Sequence, residues 1–206
     1  MQIKPLFVTG IGTSVGKTIV SAVLCEQLKA DYWKPIQAGD LHFTDSDQVR
    51  QLTSNGITKI HPEAFRLQLA ASPHQSAKEE RIEICPGDFI LPKTDNRLLV
   101  EGAGGIFVPI SPTFFMIDLI KQLEADVILV SRNYLGCINH TLMSIEVLRQ
   151  NHIPLKHLVL NGDFPEDTKD ILLQQLPFGT TWSQLPDFHT LNKESVTSAP
   201  QQLINF

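Results

Sequence analysis

The chain has 206 residues, of which 42% are hydrophobic and 19% are charged. This composition is ordinary for a folded protein, and the length predicts a single domain over residues 1–206. Acidic residues exceed basic residues by 22 to 17, which gives a formal net charge of -5. A negatively charged chain is a poor binder of nucleic acid and of anionic membranes, so we expect small-molecule partners.

The amino-terminal segment does not resemble a targeting or membrane sequence. Met1 to Gly10 has only a short apolar run after Lys4, and no apolar stretch in the chain approaches the length that spans a bilayer. We therefore expect the protein to be cytoplasmic.

Three cysteines, Cys25, Cys85 and Cys137, lie far apart in the chain without paired spacing. This spacing predicts neither a disulfide framework nor a zinc site. A free cysteine usually behaves as a small buried hydrophobe, so we expect all three to be packing residues.

Short aliphatic runs with little alternation of polar residues indicate strands that are buried on both faces. They are Leu6 to Val8, Leu98 to Val100, Val127 to Val130 and Leu158 to Leu160. Stretches with helical periodicity lie between or after them, at Thr18 to Lys29, Ile117 to Leu123, Thr141 to Gln150 and Thr168 to Gln175. Strands alternating with helices predict a single-domain α/β fold, with a parallel sheet and helices on both faces.

Polar and glycine-rich residues follow each predicted strand. They are Thr9-Gly10, Glu101 to Gly105, Ser131 to Asn133 and Asn161-Gly162. Any one of them could be a simple turn, but ligands of parallel sheets bind beyond the carboxyl ends of the strands. We therefore expect the functional residues at this edge.

Gly10 to Thr18 is typical of a phosphate-binding loop between a buried strand and a helix, where backbone N–H groups hold a polyphosphate. Lys17 would balance the charge of the β- and γ-phosphates, and the Thr18 hydroxyl would coordinate Mg²⁺. A glycine-rich turn is the alternative, but a lysine at a helix start opposes the helix dipole unless an anion is bound. The predicted nucleotide-binding residues of the loop are Gly12, Thr13, Ser14, Val15, Gly16, Lys17 and Thr18.

Three further charged residues stand out downstream of the loop. Lys34 precedes a proline, which forbids helix there and presents the lysine on an extended turn, although a solvated lysine is an open alternative. Asp45 and Asp47 precede a helical stretch; one of them can cap it, which leaves Asp47 free to meet Mg²⁺. Glu101 ends a buried strand, where an isolated charge is costly, so it requires a cation.

Several blocks taken together resemble the dethiobiotin synthetase family in type and in order. They are Phe7 to Gly10, Val15 to Thr18, Trp33 to Pro35, Ser46-Asp47, Ser72 to His74, Val100 to Gly105 and Leu135 to His140. The resemblance runs from about Phe7 to Asn161. It implies a P-loop fold and a homodimer that converts 7,8-diaminopelargonic acid, carbon dioxide and MgATP to dethiobiotin, ADP and phosphate in biotin synthesis.

The resemblance also implies roles for residues at matching positions. Lys17 and Lys34 would be catalytic, and would stabilise a carbamate and the transferring phosphoryl group. Thr18, Asp47 and Glu101 would hold Mg²⁺, and Asn161 would face the adenine of ATP. The substrate would contact Thr13, Lys34, Gly136, Cys137, Ile138 and Asn139.

Two other functions remain open from the sequence. A ParA- or MinD-like ATPase shares the parallel sheet and a variant phosphate loop, but it would carry an extra lysine where Gly12 stands. A cobyrinate-type amidotransferase would need a glutaminase domain, for which a chain of 206 residues has no room.

Overall fold

A computed structural model describes residues 4–200, so both ends of the predicted domain, 1–3 and 201–206, lie outside the described residues. Its strands are β1 (Leu6–Gly10), β2 (Asp31–Trp33), β3 (Ile36–Ala38), β4 (Ile60–His61), β5 (Phe65–Leu67), β6 (Leu98–Gly105), β7 (Pro109–Ser111), β8 (Phe114–Phe115), β9 (Asp126–Arg132), β10 (Leu155–Asn161) and β11 (Thr181–Leu185). Its helices are α1 (Lys17–Leu28), α2 (Asp45–Leu52), α3 (Pro73–Glu79), α4 (Met116–Gln122), α5 (Cys137–Gln150), α6 (Glu166–Gln174) and α7 (Lys193–Thr197), with a short 3-10 helix at Pro86–Asp88.

Seven of these strands form one parallel sheet in the order β11-β10-β9-β1-β6-β2-β4. Strand β1 lies near the centre, between β6 and β9, and its carboxyl end leads directly into the loop before α1. Two small sheets, β3 with β5 and β7 with β8, complete the strand pairing of the described residues. The predicted α/β fold with a parallel sheet is confirmed.

The central strands are apolar because both faces of the sheet are covered. Successive residues of a strand point to opposite faces, and in β1 Phe7 enters one hydrophobic core while Val8 enters the other. The same division separates Val100 from Leu99 in β6. A strand that packs on both sides has no solvent-facing position for a polar residue, which explains the uninterrupted aliphatic runs.

The four predicted strands and four predicted helices are all present, with shifted ends. The largest shift is in β6, which continues to Gly105, so that Glu101 lies within the strand and not after it. The largest shift of a helix is in α5, which begins at Cys137 and not near Thr141. Gly136 precedes it as the N-cap residue with a φ of 104°, a left-handed conformation that favours glycine. The segment Cys137 to His140, expected to be loop, is therefore the first turn of a helix.

Two further expectations concern cysteines and membranes. Cys25 and Cys137 are buried as predicted, whereas Cys85 is exposed, so the prediction of a packing role for Cys85 is wrong. Cys85 precedes the short 3-10 helix, whose residues are not buried. Over residues 4–200, no helix is both long and apolar enough to cross a membrane.

Candidate active site

The phosphate loop is a tight turn between β1 and α1. A side chain at Gly10 would lie 2.5 Å from Val15 and 2.8 Å from the carbonyl oxygen of Gly12, so only glycine fits where the loop folds back on itself. The amide of Ile11 donates a hydrogen bond to the Val130 carbonyl at 3.0 Å, which ties the loop to β9. The loop is thereby fixed at the carboxyl edge of the sheet.

Asn161, at the end of β10, also supports the loop. Its Nδ2 donates a hydrogen bond to the Val15 carbonyl at 2.8 Å, and its side chain is buried. A Cβ at Gly16 would lie 2.0 Å from this nitrogen, and Gly16 also has a φ of 89°. Asn161 therefore holds the loop backbone directly, while its contact with adenine stays a prediction.

A cavity of about 650 Å³ opens beside the loop at the carboxyl edge of the sheet. Seven of the predicted site residues line it together: Thr13, Ser14, Gly16, Lys17, Thr18, Lys34 and Glu101. Lining from the small β3/β5 sheet and from α2 includes Gln37, Ala38, Asp45 and Gln48. The cavity thus joins the phosphate loop to the segment that carries Lys34.

Glu101 is the centre of the polar contacts in this cavity. It is only 1% exposed, and its carboxylate accepts hydrogen bonds from the Tyr32 hydroxyl at 2.9 Å, the Thr18 hydroxyl at 2.9 Å and the Lys34 ammonium at 3.2 Å. Lys34 is 5% exposed, so the alternative of a solvated lysine is wrong. The buried carboxylate has the cation that its position requires.

The two lysines have opposite pKa shifts. Burial lowers the pKa of Lys17 to about 8, against a smaller opposing effect of the Glu101 charge. Burial also disfavours the charged form of Lys34, but the charges of Glu101 and Asp45 outweigh it and raise the pKa above its ordinary value. Lys34 is therefore a firmly charged ammonium at neutral pH, and Lys17 is closer to its titration range.

The structure places the two aspartates in different surroundings. Asp47 lies in the capping box of α2, where its carboxylate accepts hydrogen bonds from the amide and hydroxyl of Thr44 at 3.1 and 3.0 Å, and it also pairs with Arg50. These contacts hold it outside the cavity lining. Asp45, two residues earlier, lines the cavity and forms an ion pair with Lys34.

The electrostatic environment of Asp45 fits a site for cations. Burial raises the pKa of this carboxyl, but the Lys34 charge and hydrogen bonds from Lys34 and Thr18 outweigh it, so the pKa lies below its ordinary value. Asp45 is therefore ionised at neutral pH, as a metal ligand has to be.

Thr18, Asp45 and Glu101 present hard oxygen donors to one part of the cavity. Mg²⁺ is typically bound by one or two carboxylates, with water and phosphate oxygens completing its coordination. The described part of the chain has no group of three or more His, Cys, Asp or Glu side chains placed to hold a metal by themselves. This donor set fits Mg²⁺ bound together with a nucleotide.

The start of α5 lies apart from this cavity. None of the described residues that line the cavity falls in the range 136–139, which the sequence predicted to contact substrate. Cys137 is only 3% exposed and its thiol lies 3.8 Å from the Asn133 carboxamide oxygen, so its side chain is a packing group. Within one chain, these residues and the two lysines are therefore not brought together.

A second, more apolar cavity of about 380 Å³ lies between the phosphate loop and α5. Its lining includes Gly12, Thr13, Phe107, His140 and Met143. Phe107 is 59% exposed and Met143 is 58% exposed, which is high for such large apolar side chains.

Tyr32, Gln37 and Asp45 are among the residues of the site that sequence reasoning missed. The spacing of Thr44 and Asp47 is the signal that could have found Asp45, because a Thr followed three residues later by an acidic residue is a capping-box pattern. That pattern assigns Asp47 to the helix cap and leaves Asp45 for the cavity. No local sequence pattern marks Tyr32 or Gln37, because the folding of the chain is what brings them to the site.

Comparison with known proteins agrees with this geometry. A family model described as an AAA domain matches residues 4–195. An ATP-dependent dethiobiotin synthetase of Cytophaga hutchinsonii is 44% identical over 203 residues, which covers 98% of both chains. The chain belongs to the dethiobiotin synthetase family. Another member, from Christiangramia forsetii, is 48% identical over 160 residues, 78% of this chain and 77% of that one.

Solved structures share the fold with this dethiobiotin synthetase family member at low sequence identity. A MinD protein of Pyrococcus horikoshii, complexed with Mg-ADP, matches with a TM-score of 0.55 and 15% identity, over 94% of this chain and 85% of that chain. A ParA family ATPase of Chlorobium tepidum matches with a TM-score of 0.51 and 9% identity, over 94% and 96%. These likenesses show the fold alone, so they do not favour a ParA- or MinD-like function.

Proposed function

We propose that this chain is a dethiobiotin synthase, which uses MgATP and carbon dioxide to close a urea ring on 7,8-diaminopelargonic acid. The observation that carries the proposal is the convergence of two buried lysines and two carboxylates beside a phosphate loop, in a chain of this family. Such a cluster suits an ATP-dependent ligase, because phosphoryl transfer is catalysed mainly by positioning and charge stabilisation. The cytoplasmic location stays a prediction.

The proposed reaction has three steps. One substrate amine attacks carbon dioxide and loses a proton, which gives a carbamate. A carbamate oxygen then attacks the γ-phosphorus of ATP and releases ADP, leaving a carbamic-phosphoric anhydride. The second amine attacks the anhydride carbon, the C–O bond to the phosphoryl group breaks, and phosphate leaves as the ring closes.

The residues of the cavity have distinct roles in this proposal. Lys17 lies at the start of α1, where it would neutralise charge that develops on the transferring phosphoryl group. Lys34 remains protonated, so it would hold the carbamate oxygens next to the γ-phosphate. Thr18, Asp45 and Glu101 would bind Mg²⁺, whose charge would stabilise the phosphate oxygens of ATP.

We further propose a homodimer in which α5 of one subunit completes the site of the other. No side chain caps α5. Its first amide, that of Cys137, donates to the Tyr134 carbonyl at 2.9 Å, so the amides of Ile138 and Asn139 would receive an anion such as the substrate carboxylate. Leu135, just before the helix, is fully exposed, as are large parts of Phe107 and Met143 around the second cavity. A second copy of the chain would cover this apolar surface and bring Gly136 to Asn139 to a neighbouring cavity.

One assay tests the reaction itself. The protein is incubated with MgATP, bicarbonate buffer and 7,8-diaminopelargonic acid, and the product is measured by mass spectrometry. We expect dethiobiotin that depends on all of these components. A partner-switching ATPase would hydrolyse ATP without forming this product, and that result would sink the proposal.

Asp45→Asn and Asp47→Asn form a matched pair that tests which aspartate binds Mg²⁺. Asp45→Asn should raise the Mg²⁺ concentration needed for half-maximal activity by roughly tenfold or more, because a neutral amide replaces an anionic oxygen ligand. Asp47→Asn weakens the α2 cap, so it should lower the melting temperature but leave the Mg²⁺ requirement nearly unchanged. Titration of Mg²⁺ at fixed ATP measures the Mg²⁺ requirement of each variant, and thermal denaturation measures the melting temperature.

The reverse result would restore Asp47 as the ligand. Glu101→Gln is the positive control, because Glu101 contacts both Thr18 and Lys34 in the cavity. An unchanged Mg²⁺ requirement in Asp45→Asn and in Glu101→Gln alike would mean that both carboxylates act only on Lys34.

A further inference from the structure

Gln37 is a buried polar residue in the cavity wall for which the proposed reaction has no use. It is 4% exposed, and it lies in the short strand β3, two residues before the turn that leads to α2. Both ends of its carboxamide are bonded within the chain. The Nε2 donates to the Gly39 carbonyl at 3.0 Å, and the Oε1 accepts from the backbone amide of Asp45 at 3.2 Å.

These two bonds span the whole turn between β3 and α2. The turn contains Gly39 and Asp40 with φ values of 79° and 52°, so two consecutive residues are in the left-handed region. Such a conformation costs free energy for a non-glycine residue and persists where the surroundings hold it. The Gln37 carboxamide supplies part of that restraint, because it bonds the first residue of the turn and the first residue of the helix after it. The Gly39 amide also donates to the Leu67 carbonyl at 2.8 Å, and the Asp40 carbonyl accepts from the Phe43 amide at 3.0 Å.

The residue fixed by the second bond is Asp45. Its backbone amide is held by Gln37, and its carboxylate pairs with Lys34 inside the cavity. The helix cap does not fix this position, because Thr44 accepts its hydrogen bond from the amide of Asp47. Gln37 and Thr44 thus restrain two different amides in the first turn of α2, those of Asp45 and Asp47, and of the two side chains it is Gln37 that bonds the residue lining the cavity.

We propose that Gln37 is a positioning residue that holds the Asp45 carboxylate beside Lys34 and so tunes the affinity of the cavity for a magnesium-nucleotide complex. This inference rests on the proposed function through the metal role of Asp45. Outer residues that orient a ligand typically change metal affinity by about 10- to 100-fold when they are replaced. Gln37 acts on the affinity without any contact with the metal.

The test uses binding and not turnover. Calorimetry measures the affinity of wild type and Gln37→Met for ADP with and without Mg²⁺; methionine keeps the length of the side chain but removes both hydrogen bonds. We expect Gln37→Met to weaken binding of MgADP by about tenfold and binding of metal-free ADP much less. The binding measurement needs only nucleotide and Mg²⁺. It therefore remains a valid test of Gln37 even if the protein does not form dethiobiotin.

Thr44→Val is the matched control for a purely structural effect. It removes the α2 cap and keeps the side-chain volume and the Gln37 contact, so it should lower the melting temperature without a selective loss of MgADP affinity. If Gln37→Met does not fold, Gln37→Glu replaces it, since it has the same length and keeps an oxygen acceptor for the Asp45 amide. Gln37→Glu should show a smaller selective loss than that expected of Gln37→Met.

A double-mutant cycle shows whether Gln37 works through Asp45. In an Asp45→Asn background, Gln37→Met should have little further effect on MgADP affinity, because the carboxylate it positions is gone. An equal effect in both backgrounds overturns the inference, as does an unchanged MgADP affinity in the single variant. A selective loss in Thr44→Val as large as that in Gln37→Met also overturns it.

Discussion

Lys17→Ala should lower the rate of dethiobiotin formation by at least about a hundredfold, which is the range of loss when one electrostatic stabiliser is deleted. The protein should stay folded. Lys17 is 7% exposed at the start of α1, and its ammonium donates a hydrogen bond to the Gly12 carbonyl at 3.2 Å. Initial rates by mass spectrometry measure the loss. Lys121→Ala, at an exposed position near the end of α4, is the control and should keep the wild-type rate.

The loss of activity should not be a consequence of unfolding. Burial lowers the pKa of Lys17 to about 8, which means that the fold disfavours the charged form relative to the unfolded chain. At neutral pH, removal of this ammonium therefore relieves a desolvation penalty and offsets part of the packing that alanine loses. A melting temperature close to that of the wild type checks this. Near-normal activity in the folded variant would refute the assignment of the phosphate loop.

Mixed dimers should regain activity from two inactive parents, if α5 serves the neighbouring site. One subunit carries Lys17→Ala, and the other carries Asn139→Ala with Gly136→Val, which disturbs the start of α5. With shared sites, each heterodimer contains one site with both lesions and one site with neither, so dethiobiotin formation should return on mixing. The rate is measured on heterodimers that are purified with two different affinity tags.

The same experiment discriminates between shared and separate sites. Each homodimer is first shown to be inactive and folded, because a valine at residue 136 is strained where φ is 104°. If each site were built within one subunit, every site in the heterodimer would carry one lesion. Verified heterodimers would then stay inactive, and α5 would have no role in the neighbouring site.

The sheet and the phosphate loop could be predicted because their signals are local. A run such as Leu6 to Val8 is apolar on both faces, and the glycines and Lys17-Thr18 that follow it occur at fixed spacing. Strand β11, with the sequence TWSQL, carries no such signal, because it pairs with β10 on one side only and keeps Thr181 and Trp182 exposed. Its strand conformation depends on backbone hydrogen bonds to β10.

The local sequence does not decide whether Asp45 or Asp47 lines the cavity. Both are carboxylates in the first turn of α2, and only the phase of the helix decides which faces Lys34. That phase is set by Thr44 at the N-cap position and by the hydrogen bond that the Asp45 amide donates to Gln37 in β3. A one-residue difference in the helix start rotates the side chains by about 100°, so the position of the cap had to be known first.

The charges of the cavity also determine how a nucleotide is captured. The cavity is lined by two basic residues and by three acidic ones, Asp40, Asp45 and Glu101, so its lining has no formal excess of positive charge, and the chain as a whole has a charge of -5. Electrostatic steering requires a field of opposite sign over a distance of several ångströms. These formal charges add no net long-range attraction for an anionic nucleotide. Capture therefore depends on contacts made after diffusional encounter, and the association rate should not fall when the ionic strength is raised.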